Sequence, residues 1–162
     1  PEIAKRLIDK CPCLGEEKKK SYYSKLFCFC AVHNCSSLAD YLIQTKGAKV
    51  NYSMWGYEGS AIRYASGKGH NDFVRFLVDN HGADIHANDD ESLRIASQKD
   101  NIELALFLLA RGANVHARYE QPIRFAKSVE MVEILLEHGA DSKEVPADII
   151  HHLKSHDKGK DG

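Results

Sequence analysis

The sequence predicts an all-α solenoid of stacked helix-turn-helix repeats, and three observations carry that prediction. Four short segments nearly coincide: Gly47-Ala48-Lys49-Val50-Asn51, Gly82-Ala83-Asp84-Ile85-His86, Gly112-Ala113-Asn114-Val115-His116 and Gly139-Ala140-Asp141, with glycines 35, 30 and 27 residues apart. Self-similarity at such a period marks a repeat array. Ahead of each glycine lies an apolar stripe of helical spacing, and further upstream a shorter helix carrying a small residue at a fixed place.

Taken in order, Glu2-Ile3-Ala4-Lys5-Arg6-Leu7-Ile8 reads as the second helix of a partial preceding repeat (residues 1–13), with Cys11 at the glycine position. The charged run Gly15-Glu16-Glu17-Lys18-Lys19-Lys20 reads as a solvated connector. A first full unit over residues 22–51 has the stripe Leu38, Ala39, Tyr41, Leu42, with Cys30 five residues before Cys35 just as Ala65 precedes His70. Residues 60–86 hold Ser60–Ser66 as the short helix, a Gly67-Lys68-Gly69-His70-Asn71 turn, and Phe73, Val74, Phe76, Leu77 on the long one. Residues 91–116 repeat this with Ala96, the turn Gln98–Asn101, and Leu104, Ala105, Phe107, Leu108. Residues 121–141 supply Pro122–Lys127 with Ala126, then Met131, Val132, Ile134, Leu135 after a shortened turn. A glycine just past a helix is the expected left-handed C-cap. Residues 146–154 read as a terminal capping helix, since end repeats must close the core against water, and 155–162 as a disordered tail.

The 162 residues are 43% hydrophobic and 28% charged with a net charge of −1. That balance recommends neither nucleic acid nor an acidic membrane surface as a partner, and no apolar run approaches the roughly 20 residues that span a bilayer. The chain begins at Pro1 without a methionine, which reads as a fragment or trimmed product. Five cysteines, Cys11, Cys13, Cys28, Cys30 and Cys35, cluster in the first quarter. An odd, clustered set does not look like a disulfide framework and favours a reducing, intracellular, cytoplasmic setting.

This unit resembles the ankyrin repeat. Ser92-Leu93-Arg94-x-Ala96 stands where that family has Thr-Pro-Leu-His-x-Ala, and Gly82-Ala83-Asp84-Ile85-His86 matches its Gly-Ala-Asp-Val-Asn. The resemblance covers about residues 22–140. Two departures are consistent: Arg63, Arg94 and Arg124 replace the family's histidine, and the finger between units is as short as Ala87-Asn88-Asp89-Asp90. The period of 30 with Leu/Ile-Arg-x-Ala-Ser looks like ankyrin proteins encoded by large DNA viruses of amoebae. The resemblance implies a non-enzymatic protein-binding module, in monomeric form or as part of a larger chain. Its viral side implies a host protein as partner, in the host cytoplasm, delivered to a ubiquitin ligase by an adaptor segment outside this chain.

Candidate binding residues lie on the fingers. The stretch Tyr52-Ser53-Met54-Trp55-Gly56-Tyr57-Glu58-Gly59 is longer than its counterparts and holds the one tryptophan of the chain. Exposed aromatics bury large area at low entropic cost, so Tyr52, Trp55 and Tyr57 are candidate anchors. The competing reading has Trp55 packed back over the irregular first unit. Asn88, Asp89, Arg118 and Tyr119 are candidates on later fingers. Arg63, Arg94 and Arg124 form a ladder that either fixes each turn by hydrogen bonds or lines a binding face.

Cys28-x-Cys30-x-x-His33-x-Cys35, with Cys11 and Cys13, has zinc-type ligands. Yet Cys30 falls at the buried small-residue position, where free cysteine acts as a small hydrophobe, so neither metal nor any other cofactor is expected. His152 and His156, four apart, invite the same question beside the tail. No Gly-x-Ser-x-Gly, phosphate-binding glycine loop or His-Glu-x-x-His is present, so no catalytic residue is assigned. Two further readings stand beside partner binding: a structural scaffold or self-assembling subunit, and a zinc-stabilised, redox-sensitive module.

Overall fold

The structure, a computed structural model, describes residues 2–9, 16–56 and 59–150. Nine α-helices are described: α1 Glu2–Asp9, α2 Glu16–Val32, α3 Ser36–Lys46, α4 Ser60–Lys68, α5 Asn71–His81, α6 Ala87–Gln98, α7 Ile102–Leu109, α8 Ala117–Arg124 and α9 Val129–Glu137, followed by a 3-10 turn at Ser142–Glu144. The chain forms two compact units, Pro1–Asn88 and Asp89–Gly162.

In the first unit α2 packs against α3 and α4, α4 against α5, and α1 against α3. The stripe residues fill its core: Phe27, Ala39, Leu42, Ile62, Phe73, Val74 and Leu77 are buried. In the second unit α8 and α7 both pack against α9, around Leu93, Leu104, Leu108, Ile123, Met131 and Leu135. The expected small residues Cys30, Ala65, Ala96 and Ala126 are all buried.

The repeat closes the same way each time. Gly47, Gly82, Gly112 and Gly139 all adopt positive φ, as a C-cap requires. The alanine that follows donates its N–H to the carbonyl of a buried leucine upstream. Ala48 reaches Leu42 and Ala83 reaches Leu77 at 3.0 Å, Ala113 reaches Leu108 at 3.1 Å, and Ala140 reaches Leu135 at 3.0 Å. Between the paired helices a second closure recurs: the N–H groups of Cys35, His70 and Asn101 reach the carbonyls of Cys30, Ala65 and Ala96 at 3.0, 3.0 and 2.8 Å. The residue before each, Asn34, Gly69 or Asp100, is left-handed. Asn101 also caps α7 by accepting from Leu104 N–H at 3.2 Å. The shortened fourth turn uses Ser128 instead, extended and accepting from Met131 N–H at 3.1 Å.

Four local expectations are corrected. Glu16–Lys20 is not a connector but the first turn and a half of α2. Glutamate and lysine are good helix formers. The helix expected over Pro122–Lys127 ends at Arg124. The fingers are not open loops: residues 88–90 and 118–120, within the first turns of α6 and α8, each form a left-handed turn, with φ between 50° and 62° at Asn88, Asp89, Asp90, Arg118, Tyr119 and Glu120. The terminal helix begins at 147, after the unforeseen 3-10 turn, and buries Ile149. Its remainder, the 155–162 tail, His152, His156, Cys11 and Cys13 lie outside the described residues.

Candidate functional site

The third residue of each Gly-Ala segment is the tie that holds a finger in place. Its main-chain N–H is taken by a side chain from the preceding stretch of chain: Lys49 by Ser24 Oγ at 3.0 Å, Asp84 by Asn51 Oδ1 at 2.9 Å, Asn114 by Asp90 Oδ1 at 2.8 Å, and Asp141 by Glu120 Oε2 at 3.2 Å. In three of these the residue's own side chain then accepts the amide two positions on, Asp84 from His86, Asn114 from His116 and Asp141 from Lys143, all within 3.0 Å. Such Asx turns explain the Asp/Asn at that position. The sequence offers Asp90 and Glu120 as acids within reach of the arginines, whereas here they accept backbone N–H groups; each stands three residues after the alanine of a His-Ala pair (His86-Ala87, His116-Ala117).

In the first unit the long finger is closed at its base. Ser60 N–H reaches Tyr52 O at 3.3 Å, and Ser60 Oγ accepts Met54 N–H at 3.0 Å. Met54 supplies the inward anchor, 5% exposed. Trp55 is 77% exposed with positive φ, so the reading in which it packs back over the first unit is set aside. Tyr52 is half-buried, its hydroxyl 3.1 Å from Ser21 Oγ, and it lines a 230 Å³ cavity with Lys20, Ser21, Ser24 and Lys49. Tyr57 lies outside the described residues, and Asn88 is half-buried at the unit's end. Gly59, with φ 56°, lies so near Ala87 that an added Cβ would be 2.5 Å from its side chain.

In the second unit the left-handed turn at 118–120 lifts Tyr119 to 87% exposure, beside exposed Arg118, while Glu120 points back to Asp141 and pairs with His116. Asp89 is exposed in the equivalent turn, and Asp90, 4% exposed, is turned inward. Arg94 ties these turns together: Nε donates to Asp89 O at 3.2 Å and Nη1 to Gln121 Oε1 at 2.7 Å. Burial pulls its guanidinium below the ordinary pKa, opposed by Glu91, Asp89 and Asp90 and reinforced by Arg118. Asp89 and Arg118 therefore share the field of Arg94.

The three arginines make different contacts. Arg63 stacks over the Tyr64 ring at 4.9 Å, Arg94 fixes two turns, and exposed Arg124 reaches Glu144 at 3.5 Å. Cys28 and Cys30 are buried, and burial pushes both thiols up to about 12, the neighbouring Cys35 and Cys28 adding to the effect on Cys30. Cys35 is exposed. Among the described residues no group of three or more His, Cys, Asp or Glu is arranged to hold a metal ion, and no helix is long and apolar enough to cross a membrane.

Comparison with known families finds the description "Ankyrin repeats (3 copies)" matching residues 26–119, more than half of the chain. No curated protein matches the chain significantly. The recurring Gly-Ala closures, the paired helices of each repeat and this match agree: the chain belongs to the ankyrin-repeat family, whose repeats in general mediate protein–protein interaction and are typically non-enzymatic.

Proposed function

We propose that this chain binds a partner protein through its fingers, with Tyr52, Trp55, Tyr57, Asn88, Asp89, Arg118 and Tyr119 as contact residues and no chemistry of its own. One observation carries the reading: Trp55 and Tyr119 are 77% and 87% exposed, Trp55 beside Met54, whose N–H Ser60 accepts, and Tyr119 beside Glu120, which accepts Asp141 N–H. A large aromatic held rigidly in water costs little further entropy when a partner covers it. Nothing in the packing needs either ring, while their neighbours Met54 and Glu120 do the structural work. The charge around Arg94, with Asp89 and Arg118 exposed, supplies a polar rim that favours register over raw affinity.

The likeness to viral ankyrin proteins supports a host protein as the partner, in the host cytoplasm. The buried Cys28 and Cys30, whose thiols burial keeps protonated, are compatible with a reducing compartment. The deciding experiment is quantitative crosslinking mass spectrometry after pull-down from a eukaryotic lysate, with wild type against Trp55→Ala/Tyr57→Ala and Tyr119→Ala. A crosslinked partner lost in the variants, with circular dichroism unchanged, supports the finger site. An unchanged partner list removes these aromatics from it.

A further inference from the structure

The cavity of the first unit is lined by basic and hydroxyl-bearing residues together with their apolar stems. Lys20 and Ser21 come from α2, Ser24 from one turn further along it, Lys49 from the Gly-Ala segment and Tyr52 from the base of the long finger. Two lysines and three hydroxyl-bearing residues line it, and among the described residues no carboxylate does.

Buried Ser24 joins the backbones of the two lysines. Its Oγ donates to Lys20 O at 2.8 Å and accepts Lys49 N–H at 3.0 Å, so one hydroxyl ties the backbones of both lysines to the same wall. The same lining holds the Ser21–Tyr52 pair at 3.1 Å. Two hydroxyls carry two protons and the bond between them uses one, which leaves one O–H to donate to a ligand. Two like charges at one cavity repel, and a doubly charged anion between them converts that repulsion into two charge-assisted hydrogen bonds. Lysine, a compact point charge, suits a tetrahedral oxyanion. At 230 Å³ the space takes a phosphoryl group and the short chain bearing it, and falls below the roughly 300–1,000 Å³ of sites for drug-sized ligands.

We propose that the cavity formed by Lys20, Ser21, Ser24, Lys49 and Tyr52 binds a phosphate monoester dianion. Lys20 and Lys49 supply the charge, the Ser21–Tyr52 pair donates the third contact, and Ser24 positions both lysines. The proposal goes beyond the finger reading, and its probes are small anions, so its failure leaves partner binding at Trp55 and Tyr119 unaffected.

The test is an amide NMR titration of the whole chain with inorganic phosphate and with a capped phosphoserine tripeptide, using the unphosphorylated tripeptide as control. Saturable shifts are expected at the amides of Lys49 and Tyr52 with both phosphorylated probes and none with the control. Lys20→Gln and Lys49→Gln, both at exposed side chains, should each weaken binding about tenfold or more. Lys68→Gln, the same charge change outside the cavity, should leave binding unchanged. A peptide held at least about tenfold more tightly than phosphate identifies a phosphorylated polypeptide as the source; equal affinities identify the phosphoryl group alone, as in a free phosphate ester. Non-saturating shifts, a lysine variant that binds like wild type, or equal weakening by Lys68→Gln overturns the proposal. Circular dichroism and melting midpoints confirm that each variant is folded.

Discussion

The carboxylate of Asp90, almost wholly buried, accepts the main-chain N–H of Asn114 at 2.8 Å. Glu120 takes the N–H of Asp141 at 3.2 Å in the following repeat. Each left-handed finger thus sends its last side chain inward to hold the next Gly-Ala segment, while the middle residue of the turn, Asp89 or Tyr119, faces water. The backbone turn that anchors the finger is also what exposes the candidate contact residue.

Removal of the acceptor should show this directly. Asp90→Ala leaves the Asn114 amide without a partner and is expected to lower unfolding stability by about 1–3 kcal/mol. Asp90→Asn keeps a carbonyl oxygen at the same place and should recover most of the loss. Urea midpoints at unchanged slope measure it, and equal losses for both variants would contradict the assigned hydrogen bond.

Tyr119 sits at φ 60°, a region costly for a residue with a Cβ, and its ring is exposed. Tyr119→Gly relieves that strain and loses no packing, although glycine's freedom in the unfolded chain offsets part of the gain. A net stabilisation of about 0.5–1 kcal/mol is expected. The same substitution should weaken partner capture, so the melting midpoint rises while binding falls, the trade expected where strain serves a site. A variant that binds normally would show that Tyr119 is no contact residue.

Gly59 and Gly67 make a contrast at opposite ends of nearly one helix. A Cβ at Gly59 would meet Ala87 at 2.5 Å with φ already positive, so Gly59→Ala should cost about 2–4 kcal/mol. At Gly67, inside α4, a Cβ meets nothing within 4 Å, and Gly67→Ala should stabilise by about 0.4–1 kcal/mol. Thermal melts of the two variants must move in opposite directions.

The buried thiols give a pH dependence of definite sign. Cys28 and Cys30 have folded-state values raised from 9.0 to about 12, chiefly by burial. The folded state therefore holds these protons more tightly than the unfolded chain. The associated stability is fully present below pH 9 and is lost as pH rises from 9 towards 12. At pH 8 a thiol reagent should modify exposed Cys35 readily and Cys28 and Cys30 only after denaturant is added, as peptide mass mapping would show. Fast labelling of Cys30 in the native chain would contradict its burial.

What the sequence by itself determined was everything governed by short-range periodicity. The stripes Phe73-Val74-Leu77 and Leu104-Ala105-Leu108, the glycine closures and the small residues Cys30, Ala65 and Ala96 all follow from helical spacing and capping, whose partners lie within a few residues. The charge of the run Glu16–Lys20 suggests a loop, whereas the same residues are strong helix formers and open α2. Tertiary structure alone decided the fingers. Asp89 and Asp90 are neighbours of like charge, and only the left-handed turn sends one to water and the other to Asn114. Met54 and Trp55 likewise divide into anchor and exposed ring because Ser60 holds Met54. The cavity of Lys20, Ser24 and Lys49 joins residues 25 positions apart through one hydroxyl. Such pairings depend on which groups folding brings within hydrogen-bond reach, and a one-dimensional pattern carries no term for that distance.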